Sequence, residues 1–381
     1  MKVQQLRIVI FGLSLSSSWG NGHATTYRAL IKGLAERGRE VLFLERDVPW
    51  YASHRDLTEF ADCRLQFYPN VAALETWRAA ISSADLVMVG SYVPDGIAVG
   101  RLVQATAKGV TVFYDIDTPV TVSSLAAGTC AYLSRDTAAG YDLYCSFTGG
   151  PTLDRLQREF GVRAARALYC SVDPTHYAPI GGPHRWDLSY LGTYAADRQP
   201  VLERLLIEPA RRAPTRRFVV AGAQYPRSID WPSNVELIEH VPPSQHPAFY
   251  AKSRFTLNAT RTDMVRAGWS PSVRLFEAAA CGAAIISDSW PGLESLFRPG
   301  IDIAVASTTD DVLDVIERWP ASRVRMMAAS ARARVLAEHT AAQRAIQLER
   351  YLAEIKLAKA RAQMRSTDAV ALSRVEGRNL L

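Results

Sequence analysis

Short apolar runs alternate with amphipathic stretches along most of this chain. Residues 7–11 form an apolar run of strand length. Residues 24–37 carry apolar positions at helical spacing and stop at Gly38, and residues 40–44 return to a strand pattern. Strand, helix and strand in that order make the crossover unit from which parallel sheets are built. The alternation continues with a helix over 74–83, a buried strand over 85–90, a helix over 98–108 stopped by Gly109, and strands over 110–114 and 142–147. It then breaks. Between Val172 and Pro183 lie three prolines and two glycines, the composition of a linker. Beyond it the pattern restarts, with strands over 186–191, 218–221, 235–238, 255–258 and 284–287. Helices follow over 200–213, 310–317, 322–337 and 341–361.

This pattern predicts an α/β protein of two Rossmann-like domains facing a cleft. The first domain spans 1–171, a linker 172–185, and the second domain 186–337. A C-terminal helix over 338–365 crosses back to the first domain, and 366–381 form a flexible tail. Ligands of such sheets sit outside the C-terminal strand ends, here between the domains.

Composition narrows the function. The 381 residues are 48% apolar and 22% charged, ample for two cores. The net charge is +6, almost all from arginine, but it is spread along the chain rather than gathered into runs. That argues against a nucleic-acid partner. The arginine excess reflects either phosphate recognition or a biased composition. Five cysteines, at 63, 130, 145, 170 and 281, have neither CxxC nor zinc-finger spacing. They are expected as reduced thiols of a cytoplasmic protein. No leader pattern opens the sequence, and no apolar run reaches the length of a membrane span.

Candidate chemistry clusters at strand ends. The segment 269–282 reads as a loop, a helix start, a glycine stop and then a buried strand. Ser272, Val273 and Arg274 open the helix, and Glu277 lies one turn on, on the face of Arg274. A helix N-terminus at the mouth of a sheet is a place for a nucleotide phosphate. The first loop, 12–26, holds Gly20, Gly22 and His23. Its glycines suit an anion or a sugar, and His23 either meets the ligand or caps the helix. It lacks GxGxxG and the P-loop lysine, so neither NAD nor ATP is indicated. Asp115 and Asp117 follow a strand at the cleft edge. One is a candidate general base; the alternative is a cap at Asp117 and a structural acceptor at Asp115. Gly192 and Thr193 form a strand-end turn, and Arg198 is placed either on a diphosphate or in a surface salt bridge. Arg261, Arg266 and Arg274 would form a cationic cluster if they converge. In the loop 47–56, Trp50 and Tyr51 are apolar enough to stack on a sugar or a small aromatic.

With these residues in view, the chain resembles the GT-B glycosyltransferases, and within them the CgeB-like branch related to glycosyltransferase family 4. The resemblance runs over nearly the whole chain. It is most specific in 270–287, in Cys170 to Asp173 with Tyr177 and Pro179, and in the His339 to Arg344 segment. It implies transfer of a sugar from a nucleotide-diphosphate sugar, the donor held by the second domain and an unidentified acceptor by the first. Glu277 would hold the donor ribose, Arg198 the diphosphate, and Gly20 and Gly22 would approach the donor phosphate. It also implies protein cations and helix dipoles on the diphosphate, with no bound metal and no cofactor. Two departures stand out. The family's first glutamate, eight residues before Glu277, is Trp269 here, and its usual cleft histidine is replaced by the Asp115 to Asp117 segment. A nucleotide-sugar epimerase and a non-catalytic sugar-nucleotide-binding protein are the alternatives.

Overall fold

The computed structural model describes residues 6–19 and 22–376, with side chains to residue 364. Among the described residues thirteen strands form two sheets. In chain order they are Arg7–Gly12 (β1), Glu40–Arg46 (β2), Arg64–Tyr68 (β3), Leu86–Gly90 (β4), Val110–Asp115 (β5), Leu143–Ser146 (β6) and Ala165–Ala167 (β7) in the first sheet. The second holds Trp186–Leu191 (β8), Phe218–Ala221 (β9), Val235–Ile238 (β10), Ser253–Asn258 (β11), Ala284–Ser287 (β12) and Ala304–Val305 (β13). The sheet orders are β3-β2-β1-β4-β5-β6-β7 and β10-β9-β8-β11-β12-β13. Every pairing is parallel.

The central strands explain themselves. In β4 and β5 every residue is buried, because helices cover both faces of a parallel sheet. Each sheet reverses its winding once, between β1 and β4 and between β8 and β11. Loops leaving adjacent strands there turn to opposite faces and open a crevice.

The C-terminal helix Ala341–Glu376 leaves the second domain and lies along the first. It packs closely on the helix His23–Ala35: a Cβ on Gly33 would come within 2.6 Å of the Ala341 carbonyl oxygen. Glu349 accepts from both Arg37 and Arg39, Lys356 pairs with Asp85, and Lys359 pairs with Asp142. Arg344 secures the crossing point. Its buried guanidinium donates to the carbonyls of Tyr169 at 2.9 Å and Glu338 at 3.0 Å and meets His339 Nδ1 at 2.7 Å. His339 in turn stacks on Phe276 of the helix Val273–Ala280, ring centroids 4.6 Å apart.

Three segments differ from the sequence expectation. Residues 74–83 are a 3₁₀ segment, Val71–Trp77, followed by a short helix, Arg78–Ser83. Residues 199–212 are helical but pass through a π turn at Glu203–Ile207, which ends two residues before Pro209, whose missing N–H interrupts a regular ladder. The expected flexible tail is largely helix. The last helix continues to Glu376 because no glycine or proline occurs between Ala341 and Gly377. Residues 377–381 lie outside the described residues. Among the described residues no helix is long and apolar enough to cross a membrane.

Candidate active site

A cleft of about 530 Å³ lies between the domains. Its walls come from the C-terminal ends of strands in both sheets. The first domain supplies Leu13, Gly22 and His23 after β1, Tyr51 after β2, Tyr92 after β4 and Asp117 after β5. The second supplies Arg198 after β8, Ala259 to Arg261 and Met264 after β11, and Ser272 and Arg274 at the start of the helix Val273–Ala280.

The second-domain wall is cationic. Arg198 is 9% exposed, and among the described residues its side chain makes one hydrogen bond, a 3.4 Å contact from Nη2 to the Thr193 carbonyl. Its buried Nε has no hydrogen-bond partner among the described residues. Among the described residues neither Arg198 nor Arg274 has a carboxylate within ion-pair distance. Burial, with the charges of Arg274 and Arg261 nearby, presses Arg198 below the ordinary arginine range. Two guanidiniums held together without counter-charges are an incomplete arrangement that an anion completes. The helix N-terminus adds to it: its N-cap, Ser272, makes no side-chain cap and instead accepts from Arg274 Nη1 at 3.2 Å. Arg261 lines the same cleft but pairs with Asp197 at 3.2 Å. Arg266 does not join them. It is exposed, pairs with Asp263 and faces a different groove, because it lies beyond Met264 on the outer side of the helix Thr262–Ala267.

The two aspartates part company. Asp117 lines the cleft, where the Tyr92 hydroxyl donates to its Oδ2 at 3.0 Å. Burial raises its pKa, opposed by the Tyr92 hydrogen bond and the Arg261 charge across the cleft. Asp115 sits beneath, fully buried, and accepts from Thr121 at 2.7 Å and Tyr144 at 2.5 Å. Burial pushes its pKa up to about 6. It is an acceptor for its own sheet and does not reach the cleft. His23 is also buried at the cleft wall, edge-on to Tyr92 with centroids 5.5 Å apart, and burial lowers its pKa to about 4. It is therefore a neutral imidazole near neutral pH.

The remaining candidates lie close by. Gly22 lines the cleft with open space above its α-carbon; Gly20 is outside the described residues. Gly192 is not on the cleft wall but backs Arg274, whose Nη2 is 3.1 Å from where its Cβ would stand. Thr193 holds Arg198 through its carbonyl. Val273 packs its side chain on the core and offers only its main chain to the helix start. Glu277 is buried away from the open cleft, with His246 Nδ1 3.7 Å from its Oε2.

Two residues, Tyr92 and Glu45, have no sequence motif to betray them, and a third, Trp269, is marked in the sequence only as a departure from the family's glutamate. Tyr92, which positions Asp117, has φ 61°, a backbone region that bulky side chains rarely adopt. Glu45, at the end of β2, anchors the first loop by accepting from the N–H groups of Leu15 at 2.6 Å and Ser16 at 2.9 Å and from two serine hydroxyls. Trp269, in the position of the family's first glutamate, does not line the cleft. It forms the inter-domain seam: Gly149 N–H donates to its carbonyl at 2.9 Å, and its own N–H donates to Pro291 at 2.6 Å. Beside it the hydroxyls of Thr148 and Ser270 meet across the seam at 2.9 Å. Among the described residues no group of three or more His, Cys, Asp or Glu side chains is placed to hold a metal.

Residues 198–350 match the family model described as glycosyl transferase-like. No curated protein matches the chain in sequence. Among solved structures it is similar to a sucrose-phosphate synthase from Thermosynechococcus elongatus, 14% identical, covering 93% of this chain and 100% of that one, with a TM-score of 0.67. It is likewise similar to HepE from Anabaena in complex with UDP-glucose, 12% identical over 92% of this chain and 100% of that one, TM-score 0.64. A third is the α,α-trehalose 6-phosphate synthase of Burkholderia multivorans, 11% identical over 94% and 100%, TM-score 0.60. The chain thus has the GT-B fold of two Rossmann-like domains facing a cleft, and its second domain is similar to the glycosyl transferase-like family.

Proposed function

We propose that this protein is a glycosyltransferase that moves a sugar from a nucleoside-diphosphate sugar to an acceptor hydroxyl. The observation that carries the reading is the pair Arg198 and Arg274, partly buried and, among the described residues, without carboxylate partners, beside the N-terminus of the helix Val273–Ala280. Positive charge fixed there stabilises a diphosphate as it leaves, at no cost in reorganisation. The likeness to HepE, solved with UDP-glucose, supports uridine diphosphate as the leaving group. In this reading the proteins' own cations do the work that a bound metal does elsewhere.

The acceptor enters from the first domain, between His23 and Asp117. Its oxygen attacks the anomeric carbon, the bond from that carbon to the diphosphate oxygen breaks, and Asp117 takes the hydroxyl proton. A raised carboxylate pKa suits a general base. Glu277, one helical turn beyond Arg274, lies beneath the open cleft beside His246, and its assignment to the donor ribose rests on the resemblance alone. This division of labour between the domains is the one that the resemblance to the CgeB-like branch implies.

Incubation with UDP-glucose, UDP-galactose, UDP-N-acetylglucosamine, GDP-mannose and TDP-glucose, with and without a panel of hydroxyl acceptors, tests the reading. Release of a nucleoside diphosphate with a glycosylated product is expected. Rearrangement of a donor sugar without acceptor or diphosphate release would instead identify an epimerase. Binding without turnover of any donor would identify a non-catalytic protein.

A further inference from the structure

Two loops of the first domain are locked into one unit beside the cleft. The N–H groups of Asp56 and Leu57 donate to the Ser16 carbonyl at 3.0 and 3.1 Å, and Ser17 Oγ donates to the His54 carbonyl at 2.7 Å. Arg28 clamps the Leu15 carbonyl through Nε and Nη2 at 3.0 and 2.8 Å. This unit carries three aromatic rings that take no part in the chemistry above. Trp19 stacks on His54, centroids 4.0 Å apart and planes 17° apart, and Trp50 meets Trp19 edge-on at 4.8 Å. Both indoles are exposed, Trp50 at 60% and Trp19 at 45%. Exposed indoles on rigid loops keep a large apolar surface in water, and such surface marks a contact site. The platform is continuous with the cleft, since Tyr51, next to Trp50 in the turn Pro49–Ala52, lines it.

The rim decides the occupant. Around the rings stand Asp47 with Arg55, paired at 2.7 Å, and Asp56 with Arg28, all partly exposed. An aromatic face takes the C–H face of a pyranose, while carboxylates and guanidiniums at its edge take the ring hydroxyls. A lipid surface would instead have to desolvate those charges. We propose that Trp19, Trp50 and His54 form a distal acceptor subsite that stacks a sugar ring, one ring removed from the hydroxyl that reacts beside Asp117. The acceptor is then at least a disaccharide or a glycoconjugate. This inference rests on the glycosyltransferase reading.

Saturation-transfer NMR on the full chain with UDP present tests it, using maltose, cellobiose, lactose and methyl glucoside as probes. At least one disaccharide is expected to receive saturation at its ring protons, and more strongly than methyl glucoside. Trp50→Ala should cut that transfer by about fivefold or more, and Trp50→Phe should restore most of it. Because Trp50 is exposed, thermal unfolding of both variants checks that they are folded. Absence of transfer to every disaccharide, or equal transfer in Trp50→Ala, would overturn the subsite. So would co-sedimentation with phosphatidylcholine–phosphatidylglycerol vesicles that is lost in Trp50→Ala. Failure of UDP to bind the wild-type protein in the same samples would instead sink the underlying glycosyltransferase reading.

Discussion

The indole of Trp269 occupies the space that a side chain on Gly150 would need: a Cβ there would come within 2.5 Å of its Cδ2 and Cε3. Gly292 of the second domain meets the same ring, its Cβ position 2.4 Å from Cγ. Trp269 itself has φ 43°, and Gly150 has φ 55°. One strained tryptophan is thus seated on glycines from both domains, and the closeness of the seam depends on their lacking side chains. Gly150→Ala is expected to destabilise the protein by about 1–3 kcal/mol through overpacking and backbone strain. Urea unfolding monitored by tryptophan fluorescence measures it. A change within experimental error would show that the seam yields freely.

Arg198 and Arg274 should be unequal to the other arginines of the region. Replacing either with alanine is expected to lower donor turnover by about 10²–10³-fold, as removal of a preorganised donor from a leaving-group site does. Arg266→Ala, exposed and outside the cleft, should change it little. Steady-state kinetics on the three variants decides this.

Asp115 and Asp117 should respond to different measurements. Asp117→Asn is expected to lower kcat by about 10²–10⁴-fold with the fold intact. Asp115→Asn should show itself in stability, with a sign set by pH. The folded pKa of Asp115, about 6, lies above that of an unfolded aspartate, about 3.9. The folded state therefore holds its proton longer. That contribution is complete below about pH 4 and is lost as pH rises through 6. Asparagine has no charge to acquire. The stability of Asp115→Asn relative to wild type should improve by about 2–3 kcal/mol between pH 4 and pH 7. Denaturant unfolding at both pH values measures the difference; a pH-independent one would mean that Asp115 is not held protonated.

Arg344 fastens the C-terminal helix to the end of the first domain. Arg344→Ala would strand the Tyr169 and Glu338 carbonyls and is expected to cost about 3 kcal/mol or more. Lysine, a point charge without the planar fork, should recover little of it. Melting temperatures of the two variants test this directly.

The strands β8, β9, β10 and β12 run between the residues that the sequence pattern marks, because short apolar runs between breakers have sharp ends. The edge strand β3 has a half-exposed mixture, Arg-Leu-Gln-Phe-Tyr, and β7 is three residues long, so neither leaves a clear period. The cluster that the sequence suggests is Arg261, Arg266 and Arg274, with Arg198 placed separately after its own strand; that Arg198 stands with Arg274 depends on loops after β8 and β11 opening at one crevice. The absence of Arg266 from that group depends on which side of a short helix it falls, and a six-residue helix gives too little periodicity to say. Tyr92, Glu45 and Trp269 act through partners 22 or more residues away in sequence. Nothing local distinguishes them from core or surface residues of the same type.

The central claim is that the Arg198–Arg274 pair binds the diphosphate of a donor nucleotide. Calorimetric titration of UDP and of uridine into wild-type protein and Arg274→Ala tests it most directly. The account predicts one UDP site in the wild type, weakened by about tenfold to a hundredfold in Arg274→Ala, as loss of a charge-assisted hydrogen-bonding partner implies. Uridine, which has no phosphate, should bind both proteins alike. Equal UDP affinity in the two proteins would contradict it.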